Sequence, residues 1–141
     1  MNFDIGEIER IAKYVIDHVD SKILLFYGEM GVGKTTLIKA LVKVLGGTSE
    51  VTSPTFSLVN EYEVENDMVY HFDFYRLKEV HEALDIGIDE YIDSGNWVFI
   101  EWPSKIDVLL PKDVEKIHLK LNKNGSRALD LELVNSNFKK S

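Results

Sequence analysis

Apolar positions change period several times along the chain, and each change marks an element. Over residues 5–19, Ile8, Ile11, Ala12, Val15, Ile16 and Val19 recur at helical spacing. Asp4 and Glu7 resemble a capping box, with Asp in place of Ser or Thr, so a helix is expected to open there. Residues 22–27 form a short apolar run closed by Gly28, the pattern of a strand buried on both faces. A helical pattern covers 34–45 and stops at Gly46 and Gly47. Pro54 biases Ser53 away from helix, so 51–56 reads as a loop. Residues 56–63 and 68–73 predict strands joined through the polar Glu65, Asn66 and Asp67. The acidic stretch 78–93 predicts short helices. Residues 97–101 repeat the buried-strand pattern, and 103–112 is a connection bounded by Pro103 and Pro111. Alternation over 114–121 and 127–134, around Asn124-Gly125, predicts a second hairpin. The polar residues 135–141 are expected to fray, leaving 1–134 as a single domain.

Strand-helix-strand units imply a parallel core, and the two hairpins add antiparallel strands at its edges. Hydrophobic residues at 45% and charged residues at 28% are ordinary for a globular chain and exclude a disordered or collagen-like one. The absence of cysteine excludes disulfide scaffolds, thiol catalysis and thiolate metal sites. No apolar run approaches a membrane span, and MNFDIGEIER has an early acid and no apolar core. A cytoplasmic protein without a membrane partner is therefore expected. Sixteen Lys and Arg against 24 Asp and Glu leave a formal charge of −8, which repels a nucleic-acid backbone at long range. A local site for a small anion is compatible with that charge.

Such a site is written at Gly28-Glu-Met-Gly31-Val32-Gly33-Lys34-Thr35, which matches G-x-x-x-x-G-K-[ST] between an apolar strand and a helix. Gly31, Val32 and Gly33 would turn backbone N–H groups toward phosphates, and the helix N-terminus adds its positive dipole end. Lys34 would reach the β- and γ-phosphates, the Thr35 hydroxyl would coordinate magnesium, and Thr36 continues the loop. The motif in this context predicts a P-loop NTPase-like three-layer α/β fold: a central mixed sheet with helices on both faces.

Magnesium in such sites takes a second carboxylate from a strand end, and an attacking water must be oriented. Here the strand-end residue is Glu101 rather than the usual Asp, and it is assigned as the acidic magnesium partner. Asp73 ends the other apolar strand; alternation places it on one face with His71 and Tyr75. Asp73 is the candidate for orienting water or holding the metal through one. Arg76 could pair with a carboxylate or a phosphate. His71 is read as structural. Ser53 and Thr55 lie where P-loop NTPases carry a loop that senses the γ-phosphate, and a simple turn is the equal alternative. Trp102 is placed near the nucleotide, at a partner surface or in the core.

Taken together, GEMGVGKTT at 28–36, SPTFSLVNEY at 53–62, YHFDFYRL at 70–77 and IEWP at 100–103 resemble the TsaE family, also called YjeE, over nearly the whole chain. The resemblance implies an ATPase required for threonylcarbamoyladenosine formation at adenosine 37 of tRNAs reading codons that begin with A. It implies TsaB and TsaD as partners, ATP and Mg2+ as ligands, and a cycle in which hydrolysis resets the TsaB–TsaD assembly. The tRNA would be met only through the partners. Matched position by position, Lys34, Thr35 and Thr36 fall in the family's phosphate loop. Glu101 falls on its magnesium carboxylate, Asp73 on the acid of its DxYR motif linked to hydrolysis, and Trp102 on its EW pair. Adenine contacts would lie near Asp4 and Asn122. Two other readings stand beside this one: a small P-loop metabolite kinase, and a nucleotide-sensing module without turnover.

Overall fold

The computed structural model describes residues 1–29, 31–48 and 58–133. Its strands are β1 (Asn2–Phe3), β2 (Ile23–Tyr27), β3 (Val59–Glu63), β4 (Met68–Asp73), β5 (Trp97–Glu101), β6 (Glu115–Leu121) and β7 (Arg127–Glu132). The helices are α1 (Ile8–His18), α2 (Lys34–Val44), α3 (Val80–Asp85) and α4 (Ile88–Ile92). All seven strands join one sheet in the order β1-β7-β6-β2-β5-β4-β3. The pairs β6–β2, β2–β5 and β5–β4 are parallel. The hairpins β3–β4 and β6–β7 add antiparallel strands at the two sides, as their turn residues predict.

Helices cover both faces. On one, Ile11, Ala12 and Val15 of α1 and Leu37, Ile38 and Leu41 of α2 pack on Leu24, Phe26, Phe99 and Ile117. On the other, Ala83 of α3 and Ile88 of α4 pack on Leu25, Phe72, Val98 and Ile100. Ile23, Leu24, Leu25 and Phe26 of β2 are all buried, because a central parallel strand has no solvent face. Each such side chain contributes about 1.5–3 kcal/mol of burial. The expected P-loop-like α/β architecture is therefore present.

Three details differ from the sequence reading. The first helix opens with a 3₁₀ turn, Ile5–Glu7, and becomes α-helical at Ile8. The capping box itself is formed: the Glu7 carboxylate accepts the Asp4 N–H at 3.0 Å. The expected connection 103–112 contains a 3₁₀ segment, Pro103–Leu109. Strand β1 has no sequence signature, since two residues cannot show a period; it exists because Asn2 and Phe3 pair with Ala128 and Arg127 of β7. Ser53, Thr55 and the expected tail at 135–141 lie outside the described residues. Among the described residues, no helix is long and apolar enough to cross a membrane.

Candidate functional site

The parallel strands β2, β5 and β4 end on the same side of the sheet, where the last residues of β4 and β5 and the loop that follows β2 open onto one cleft. It has a volume of about 250 Å³ and is lined by Gly31, Gly33, Lys34, Thr35, Thr36, Asp73, Glu101 and Trp102. Residues from three sequence motifs meet there because Asp73 and Glu101 are register partners in neighbouring parallel strands.

The loop from β2 to α2 needs glycine for two separate reasons. Gly31 and Gly33 have φ of 81° and 109°, the left-handed region that an L side chain rarely adopts. A Cβ on Gly28 would stand 2.8 Å from the Leu119 carbonyl oxygen, so the loop can lie this close to β6 only without a side chain. Val32 is buried in the core, and its carbonyl accepts the Arg127 Nε–H at 3.3 Å, tying the loop to β7.

Lys34 opens α2 and is only 5% exposed. Its ammonium donates to the Gly28 carbonyl at 2.7 Å and lies 3.8 Å from the centre of the Trp102 ring. Burial pushes its pKa below the ordinary lysine value, and the carboxylates of Glu101 and Asp73 pull it back up. Lys34 thus faces an open cleft with a carbonyl and an aromatic face as its neighbours.

Trp102 holds that ring in place at a backbone cost. Its φ and ψ of 58° and 50° are left-handed, which costs a bulky residue about 1–3 kcal/mol. Pro103 disfavours the right-handed alternative for the residue before it. The ring is half-buried against the α3/α4 core and packs on Tyr75 at 5.1 Å. Together with a cation–π contact of about 0.5–2 kcal/mol, this offsets the strain.

The Thr35 hydroxyl faces the Glu101 carboxylate at 3.4 and 3.5 Å from its two oxygens, beyond a good O–H···O hydrogen bond. They form a pair of hard oxygen donors with open cleft beside them. Among the described residues no group of three or more acids and histidines could hold a metal alone. That donor set suits magnesium, which binds through one or two protein oxygens together with phosphates. Glu101 is 3% exposed, and its Oε2 lies 2.7 Å from Nε2 of His71, itself 4% exposed. Asp73 is exposed at the rim, where its Oδ1 accepts the Tyr75 N–H at 3.0 Å.

The cleft therefore gathers Gly31, Gly33, Lys34, Thr35, Thr36, Asp73, Glu101 and Trp102. Arg76 is exposed and is not among the lining residues. Tyr75 follows the end of β4 instead of continuing its alternation, because the chain turns after Asp73. Asp4 and Asn122 also lie outside the cleft, yet their segments meet: Asn122 Nδ2 donates to Asn2 Oδ1 at 3.3 Å, and Ile5 reaches to 3.6 Å from where a Cβ on Gly33 would stand. Sequence reasoning missed the contact of His71 with Glu101. It also missed a second cavity of about 590 Å³ beside the loop, lined in part by Tyr27 and His118, whose rings stack at 4.8 Å. Only the partner register β2–β6 brings that pair together.

The family profile described as "Threonylcarbamoyl adenosine biosynthesis protein TsaE" matches residues 4–129. Among curated proteins, the tRNA threonylcarbamoyladenosine biosynthesis protein TsaE of Haemophilus influenzae is 38% identical over 67% of this chain, a match spanning 61% of its own length. Its namesake in Bacillus subtilis is 33% identical over 82% of this chain and 72% of its own. The namesake in Rickettsia typhi is 33% identical over 94% of this chain and 92% of its own. The crystal structure of Bacillus subtilis YdiB superimposes with a TM-score of 0.75 at 26% identity, covering 98% of this chain and 86% of that one. With that coverage and the loop, strand-end acids and sheet order described above, the chain belongs to the TsaE family of threonylcarbamoyl adenosine biosynthesis proteins.

Proposed function

We propose that this chain binds ATP with magnesium and hydrolyses it as a subunit of the machinery that forms threonylcarbamoyladenosine on tRNA, working with a TsaB–TsaD pair. The observation that supports this most directly is the convergence of Lys34, Thr35, Asp73 and Glu101 on one cleft at the end of the parallel strands. The loop N–H groups and the N-terminus of α2 bind the phosphates, and Lys34 turns from the Gly28 carbonyl to the β- and γ-phosphates. Thr35 and Glu101 hold magnesium, which when bound neutralises charge on the phosphate oxygens. Asp73, exposed at the rim, orients the attacking water and takes its proton. Trp102 screens the reacting end from solvent, and Arg76 is available at the surface for a partner. Ser53 and Thr55 belong to the same reading as γ-phosphate sensors, and Asp4 and Asn122 as neighbours of the adenine.

A net charge of −8 supports a division of labour in which tRNA is handled by the partners. A cytoplasmic setting, where ATP and tRNA meet, goes with this reading. The test is magnesium-dependent ATP hydrolysis by the chain alone and with its cognate TsaB–TsaD pair, with Lys34→Ala as control. The expected result is low turnover alone, strong stimulation by the pair, and loss of both in the variant. ATP binding without stimulation would refute the partner-gated ATPase and favour a sensing module or a kinase.

A further inference from the structure

His71 lies on β4, on the α1/α2 side of the sheet, and its register partner on β5 is Phe99, two residues before Glu101. This places the imidazole against the Glu101 carboxylate, which the Thr35 hydroxyl also faces. The Nε2–Oε2 distance is 2.7 Å, and both side chains are 5% exposed. An ionised carboxylate only accepts, so Nε2 carries the proton and donates. The other ring nitrogen, Nδ1, is buried and has no hydrogen-bond partner among the described residues. A buried polar atom without a partner opposes folding, so a histidine is a poor choice as mere filling here. Among the described residues, the one hydrogen bond of its side chain is the bond to Glu101.

That bond has a purpose specific to glutamate. Glu101 stands where an aspartate is usual, and its extra methylene adds a rotatable bond between backbone and carboxylate. Left alone, the carboxylate would sample several positions, and ordering it on metal binding would cost rotamer entropy. His71 holds Oε2, which leaves Oε1, 3.5 Å from the Thr35 hydroxyl, for the cation. We infer that His71 is a positioning residue: it clamps Glu101 in the orientation in which Glu101 and Thr35 together receive a divalent cation. This rests on the proposed metal role of Glu101.

The test uses the full chain with ADP, and Mn2+ as a paramagnetic probe read by electron paramagnetic resonance. ADP affinity without metal serves as a check on the loop. Four variants are compared with the unaltered chain: Glu101→Gln, His71→Leu, His71→Gln and His71→Asn. Glutamine places an amide donor near the position of Nε2, whereas asparagine is too short to reach Glu101 and leucine cannot donate. The expected result is a loss of Mn2+ affinity of about tenfold to a hundredfold in His71→Leu and His71→Asn, the range for outer partners of metal ligands. His71→Gln should retain most of it, and metal-free ADP binding should be unchanged in the three His71 variants. Unchanged Mn2+ affinity in His71→Leu and His71→Asn, with Glu101→Gln impaired, would overturn the inference and leave the metal role of Glu101 standing. Parallel loss of metal-free and metal-dependent binding would also overturn it, as a packing role. Unchanged Mn2+ affinity in Glu101→Gln itself would instead refute the metal role of Glu101. If His71→Leu fails to fold, the contrast between His71→Gln and His71→Asn decides.

Discussion

On the α3/α4 face of the sheet, Phe72, Phe74, Val98 and Ile100 pack with Ala83, Ile88 and Ile106, and no described charged side chain is buried among them. The alternate positions of the same two strands, on the α1/α2 side, are His71, Asp73, Phe99 and Glu101. Among the described residues, the buried polar side chains Lys34, His71, Glu101 and Glu115 all lie on that side or at its rim. The distinction arises because the phosphate loop crosses from β2 to α2 over this face. The strand ends beneath it must supply polar groups, and the other face is free to be wholly apolar. Glu115 shows that burial alone is not a sign of chemistry. Its carboxylate accepts the N–H groups of Asp20 and Ser21, far from the cleft, and joins the end of α1 to the sheet. One strand thus carries scaffold and site on alternate residues, and a substitution should harm one without the other.

The largest effect should come from the apolar face. Phe72 is fully buried between Phe74 and Tyr91, at ring distances of 5.5 and 5.2 Å. Phe72→Ala should cost about 3–5 kcal/mol of stability, measured by urea unfolding. ATP affinity should be retained at temperatures where the variant is folded. A loss of affinity in the folded variant would break the separation of faces.

Asp73 offers the reverse case on the same strand. Being exposed, it contributes little burial, so Asp73→Asn should leave the urea midpoint in place. Hydrolysis in the presence of the partners should fall about a hundredfold, with ATP affinity changed by less than about threefold. A matched fall in affinity would move Asp73 from orienting water to binding the nucleotide.

The smallest effect concerns protons. Tyr62 is buried on the α1/α2 side, and burial, then the charge of Glu101, hold its phenol pKa above its ordinary 10.0. The folded chain therefore keeps a proton that the unfolded chain releases. Its contribution to stability is whole below pH 10.0 and is lost as pH rises through the folded value. Lys34, lowered from its ordinary 10.5 chiefly by burial, acts in the opposite sense, so folding becomes easier as pH approaches that value. Tyr62→Phe removes only the first effect. Stability measured by urea unfolding at pH 9 and pH 11 should fall less with pH in the variant. An unchanged decline would mean that Tyr62 does not feel the site.

The phosphate loop was legible because strand, glycines, lysine and helix are consecutive, and each has a local physical cause. Glu101 and Asp73 were legible as acids at the ends of apolar runs. His71 was read as structural because its partner is 30 residues away, on a strand whose neighbour the sequence does not name. For the same reason β1 was invisible, since its hydrogen bonds are made to β7 at the far end of the chain. Periodicity encodes which face a residue takes, but it holds no information on which strands lie side by side.

By itself the sequence determined most of the elements, the parallel core, the glycine-rich loop and the acids that accompany it, because these follow from spacing within a few residues. Tertiary structure alone decided the strand order and the partners it creates: Asp73 beside Glu101, His71 against Glu101, and Trp102 over Lys34. Those contacts depend on packing between distant segments, where burial of both faces of the sheet selects one register among many that the local pattern permits.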